Sequence, residues 1–147
     1  MARMQMDTNP PTLAVFLRRI AAMAYDTLLL LATFMFAGFF TLMLTGGAAV
    51  APGNLLFRGL LLSIALGYFC GSWVYGGKTI GMKAWRLQVT KQDGGSLDGR
   101  TAVLRFVAAL LSWAVIGLGF LWILIDPDRR AWHDRLSGTQ IIVTPKH

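Results

Sequence analysis

Arg19 and Asp26 are ionisable residues seven positions apart, on or beside a stretch otherwise fit for hydrocarbon. In a helix, seven residues turn through ~700°, so both side chains leave one face, about two turns and ~10 Å apart. That is too far for a direct ion pair, and each needs a partner elsewhere. Candidate cations for Asp26 are Lys78 and Arg105, and candidate anions for Arg19 are Asp134, Asp126 and Asp128. An ionisable group near hydrocarbon is costly enough to point to function by itself. Two chemistries fit. The charges form an interfacial network that fixes helix register, or Asp26, balanced between its acid and ionised forms, exchanges a proton for a cation.

A second dense group of charges runs from Asp126 to Arg135 and includes Arg130, His133 and Asp134. His133 beside Asp134 invites a metal or proton-relay reading, but neighbours on a helix point ~100° apart and no third ligand is evident. Trp132 and Arg135 suit a membrane-interface anchor. Gly77-Lys78-Thr79 fails as a phosphate loop, because Ser72 stands where the earlier glycine is needed and the preceding element reads as a membrane helix. Cys70 is the single cysteine, so no intrachain disulfide or thiolate metal site forms. Paired catalytic carboxylates and a nucleophile with its base are likewise missing. The expectation is no enzyme, no cofactor and no metal.

The elements that must position these charges are membrane segments. The chain of 147 residues is 55% hydrophobic and 14% charged, too apolar for an ordinary soluble domain. Charge-free runs occupy 27–57, 59–77 and 106–125, each near the ~20 residues that cross a ~30 Å core. All seven acids are aspartate against fourteen Lys and Arg, a net charge of +7. Lys78, Lys83, Arg86, Lys91, Arg100 and Arg105 separate the second and third runs, Arg3, Arg18 and Arg19 precede the first, and only Arg58 lies between the first and second. That asymmetry places the amino terminus and the 78–105 loop in the cytoplasm, and favours a bilayer over nucleic acid as the partner. Ala49-Val50-Ala51 resembles a signal cleavage site, but the run before it is long and Pro52 follows, so it reads as a retained anchor.

The expected fold is an all-α membrane protein with two full transmembrane helices, a third membrane segment and a small cytoplasmic β element. Residues 1–12 read as a flexible tail and 13–147 as one domain. Within it, a helix spans 13–45, its 13–25 portion lying at the cytoplasmic interface, and a second helix spans 55–75. In the second, Ser63, Gly67 and Gly71 form a small-residue stripe suited to packing on the first helix or on another copy of the chain. Residues 84–92 alternate like a strand, as do 139–144, and pairing between the two would keep both on one side. The segment 102–125 contains Gly117 and Gly119. It is either a third span or a re-entrant hairpin, and the C-terminal segment 126–147 follows.

The order of Leu17-Arg18-Arg19-Ile20-Ala21-Ala22 and Asp26, then Gly77-Lys78-Thr79-Ile80-Gly81-Met82-Lys83 with Leu87-Gln88-Val89, then Arg105, then Arg130 through Thr139, resembles the RDD family of membrane proteins. The resemblance covers about 13–144. It implies that the arginine and two aspartates of the family name map onto Arg19, Asp26 and Asp134, with Asp126 the alternative for the last. It also implies a multi-pass bacterial inner-membrane protein connected with transport, cation/proton antiport among the suggestions, and no established cofactor. Lys78 departs from the family pattern, in which the lysine follows the second glycine. The resulting expectation is an Arg19/Asp26/Asp134 cluster near the cytoplasmic edge, backed by Lys78, Arg105, Asp126, Arg130 and His133. It would serve a proton or monovalent cation in a homo-oligomer, or else lock a non-transporting scaffold.

Overall fold

The computed structural model describes residues 10–115, 118–128 and 130–145, apart from the Phe120 side chain. With no proline after Pro11 and a single glycine at Gly38, residues Thr12–Leu44 form one uninterrupted helix, α1. At 1.5 Å per residue its 33 residues extend ~50 Å, longer than a ~30 Å hydrocarbon core. Helix α2 (Leu55–Gly76) starts at Asn54, whose side chain accepts hydrogen bonds from the Leu56 and Phe57 N–H groups at 2.9 and 3.1 Å. These bonds satisfy donors that the first turn leaves without partners. It stops at Gly77, left-handed at φ 64°. Both helices are long and apolar enough to cross a membrane. Large side chains along them, Leu28, Phe36, Leu44 and Leu56 among them, are exposed, as a lipid-facing surface requires.

A short helix α3 (Ile80–Ala84) follows, capped by Thr79, whose hydroxyl accepts from the Met82 N–H at 3.2 Å. Strand β1 (Leu87–Lys91) pairs antiparallel with β2 (Thr139–Val143), with Leu87 opposite Val143 and Lys91 opposite Thr139. The Val89 N–H also donates to the Gly77 carbonyl at 2.7 Å, which ties the strand to the end of α2. Between the strands run α4 (Gly99–Ala114), α5 (Leu118–Leu121), a 3₁₀ turn (Trp122–Leu124) and α6 (Trp132–Ser137). The core lies where α2, α3, α4 and the strands meet, around Trp73, Met82, Leu87, Val89, Leu97 and Phe106.

The two long helices agree with the expected 13–45 and 55–75 to within a residue. The paired strands confirm the β element, but 84–92 divides into the end of α3 and the strand. The run 102–125 is not one helix: α4 ends at Ala114 and helical structure resumes at Leu118, with Gly117 outside the described residues, as is most of the expected tail 1–12. Packing of the Ser63, Gly67 and Gly71 stripe on α1 is corrected. A Cβ added at Gly67 or Gly71 would meet nothing within 4 Å, and the Ser63 hydroxyl turns back onto the Gly59 carbonyl of its own helix. The buried face of α2 is instead the one carrying Phe69 and Trp73, which packs toward α4 and Phe106.

Candidate functional site

Arg19 and Asp26 both face inward from α1, at 3% and 4% exposure, as their seven-residue spacing dictates. They serve two different constellations. Arg19 Nη1 donates to Asp134 Oδ2 at 2.7 Å, and Arg105 Nη1 donates to Asp134 Oδ1 and, at 2.7 Å, to the Thr139 hydroxyl. Asp134 also accepts from the Ala131 N–H at 3.1 Å, reaching back to the start of α6. One fully buried carboxylate therefore joins α1, α4 and α6. Burial by itself raises the Asp134 carboxyl, but the Arg19 and Arg105 guanidiniums outweigh it and hold the group far below the usual carboxylate range.

His133 lies beside this network, its Nε2 3.5 Å from Asp134 Oδ1. Burial, reinforced by the two arginines, brings its imidazole down to about 3, so it is neutral at physiological pH. Among the described residues no group of three potential ligands is placed to hold a metal ion.

Asp26 is surrounded by neutral donors. The Tyr68 hydroxyl donates to Oδ1 at 2.7 Å, the Thr79 hydroxyl to Oδ2 at 2.6 Å, and the Gly81 N–H to Oδ1 at 2.9 Å. Each hydroxyl is engaged on its other side too, Tyr68 accepting from the Ile80 N–H at 3.2 Å and Thr79 from Met82. The site depends on α3 lying tight against α1. A Cβ at Gly81 would run into the Ala22 carbonyl, so only glycine brings this N–H to the carboxylate.

The expected cations for Asp26 are corrected by this geometry. Arg105 instead joins Arg19 on Asp134. Lys78 reaches no carboxylate among the described residues. For Arg19, Asp134 is the partner, while Asp126 and Asp128 serve local roles. Asp126 holds the Arg135 guanidinium and accepts from the Arg130 N–H at 2.9 Å, and Asp128 pairs with the Arg130 side chain at 2.6 Å. The Arg135 hydrogen bond keeps the Asp126 carboxyl below its ordinary value.

Tyr68, Thr79 and Gly81 escape a search that looks for charge. A tyrosine in the middle of an apolar helix was the available signal, since a buried phenol hydroxyl needs a partner. A threonine two residues before a glycine is too common a pattern to single out.

A cavity of about 240 Å³ lies between the two constellations. Arg19, Asp26, Thr79, Arg105 and His133 line it, and a turn or two farther along α1 and α4 its walls become Leu30, Leu110 and Trp113.

A family model, that of the RDD family, matches residues 13–138. An uncharacterised protein of Rickettsia prowazekii (strain Madrid E) is 26% identical over 89 residues, which cover 60% of this chain and 50% of that relative. The chain thus spans about half the length of the curated relative it matches. No solved structure gives a significant match. The family match covers most of the chain and includes Arg19, Asp26, Arg105 and Asp134, and the chain belongs to the RDD family of membrane proteins.

Proposed function

We propose that this protein lies in a bacterial inner membrane with its amino terminus in the cytoplasm, and that it moves, or helps to move, protons in exchange for a monovalent cation, with Asp26 as the proton-carrying group. The observation that carries this reading is a carboxylate at 4% exposure on a spanning helix, facing a cavity, with three neutral donors and no cation in ion-pair reach among the described residues. Such a group gains and loses a proton without breaking a salt bridge. Both hydroxyls beside it already donate and accept, a chain suited to relaying protons more than to wrapping a metal ion.

The positive-inside distribution of Lys and Arg supports the orientation. A re-entrant course for 102–125 fits the 16 residues of α4, ~24 Å long and short of a full crossing. It also fits the pairing of the strands on either side of that segment. Two spans and a hairpin provide few walls for a path, which favours a homo-oligomer. In proteoliposomes, wild-type protein should carry proton-coupled cation flux, and Asp26→Asn, still folded, should lose at least nine-tenths of it. Wild-type flux no greater than that of empty vesicles would sink the proposal. Labelling a single cysteine at position 140 in a Cys70→Ser background, from the cytoplasmic face alone, is the outcome the hairpin requires.

A scaffold reading is favoured by one specific feature, the Arg19–Asp134–Arg105 network, which locks three helices together and leaves no free charge on Asp134. Under that reading Asp26→Asn lowers thermal stability or partner co-purification, and no flux exists to be lost.

A further inference from the structure

The cavity has a wall rich in donors that no acceptor in the site satisfies. Arg105 Nε and Trp73 Nε1 are buried N–H groups with no acceptor among the described residues, on side chains 2% and 6% exposed. The Arg105 guanidinium lies 5.1 Å from the centre of the Trp73 ring, and both side chains line the cavity. Asp134 has little acceptor capacity left: Oδ2 takes Arg19 and the Ala131 N–H, and Oδ1 takes Arg105 with His133 beside it. Buried donors without acceptors are costly. Beyond that wall the lining is apolar, through Leu30, Phe106 and Ala109, and it ends on α4 at Leu110 and Trp113, which are 47% and 58% exposed.

We infer that this cavity binds an amphipathic monoanion, an anionic head carried on an apolar chain, whether a free fatty-acid carboxylate or the phosphate of an anionic lipid. The head accepts from Arg105 and Trp73, and the chain leaves past Leu110 and Trp113. A small inorganic anion would satisfy the donors but leave the apolar wall uncovered, and a neutral lipid would offer Arg105 Nε no charged acceptor. A volume of about 240 Å³ holds about eight groups of ~30 Å³, so it encloses the head and the first few carbons while the rest lies along the helices. The inference does not depend on proton movement at Asp26.

The test is tryptophan quenching in phosphatidylcholine nanodiscs by bromooctanoate and by its methyl ester, at equal membrane concentration. The anion should quench saturably and at least tenfold more tightly than the ester. Ala109→Phe, which fills the cavity, should abolish the saturable component, and Trp113→Phe should remove most of its amplitude. Should Ala109→Phe fail to fold, displacement of bromooctanoate from wild-type protein by plain octanoate stands in for it. Discs doped with brominated phosphatidylglycerol separate the sources. Saturable quenching by that lipid without quenching by bromooctanoate assigns the site to anionic phospholipid, and the reverse assigns it to free acid. Equal quenching by acid and ester with no preference for phosphatidylglycerol over phosphatidylcholine, or a saturable component that survives in folded Ala109→Phe, would overturn the inference.

Discussion

Asp134 and Asp26 are the same residue type and both are buried, yet their surroundings have opposite character. Asp134 receives two guanidiniums and a backbone N–H, and Asp26 receives two hydroxyls and a backbone N–H. A buried carboxylate held by fixed positive charges stays ionised and acts as a joint, because protonating it would strand two buried cations. One held by neutral donors, as Asp26 is, has no buried cation that depends on its charge. Burial of a carboxylate therefore says little about its role until the charge of its partners is known.

The largest expected effect breaks the joint. Asp134→Asn leaves Arg19 and Arg105 buried without a counter-charge and should destabilise the folded protein by about 3–5 kcal/mol, read as a large fall in Tm in lipid or mild detergent. Asp26→Asn, which preserves size and still accepts hydrogen bonds, should fall far short of that. Equal losses for the two variants would erase the distinction.

Gly81→Ala probes the second site through the backbone. The added methyl meets the Ala22 carbonyl, so α3 must shift, at a cost of about 1–3 kcal/mol, and its N–H withdraws from Asp26. Flux should fall along with stability.

His133 sharpens the contrast through pH. It faces Arg19 on α1, Arg105 on α4 and Asp134 on its own helix, and it titrates near 6.5 in the unfolded chain but at about 3 when folded. Between those values the unfolded state holds the additional proton. Stability therefore falls as pH drops through this window, by up to about 1.4 kcal/mol per pH unit. His133→Gln should flatten the dependence between pH 6.5 and 4.5, measured by thermal unfolding. Tyr68→Phe is the mildest test, costing about 1 kcal/mol through one lost hydrogen bond, and its effect on flux should exceed its effect on Tm.

The charge-free runs, 27–57 and 59–77, mark the two long helices because hydrophobicity over ~20 residues is a local, additive property. The alternation around Trp85 to Thr90 and at Ile141 to Val143 likewise revealed strands that do pair. Asp134 stood among three candidate anions for Arg19 because ionised groups near hydrocarbon demand opposite charge, and the structure selects it. The Ser63, Gly67 and Gly71 stripe does not pack on α1, since small residues permit close packing without compelling it. The broken course after Ala114 left two readings open, because glycine at 117 and 119 allows a turn and equally allows a continuous helix in lipid.

By itself, then, the sequence determined that the chain is a membrane protein, where its two long helices lie, and that Arg19 and Asp26 share a helix face. Only the tertiary structure decided which buried carboxylate takes the arginines. That choice rests on the approach of α3 to α1 at Gly81 and of α6 to α4 at Asp134, contacts between residues 55 and 29 positions apart. Local pattern carries no information about such distances, because they are set by how whole elements pack.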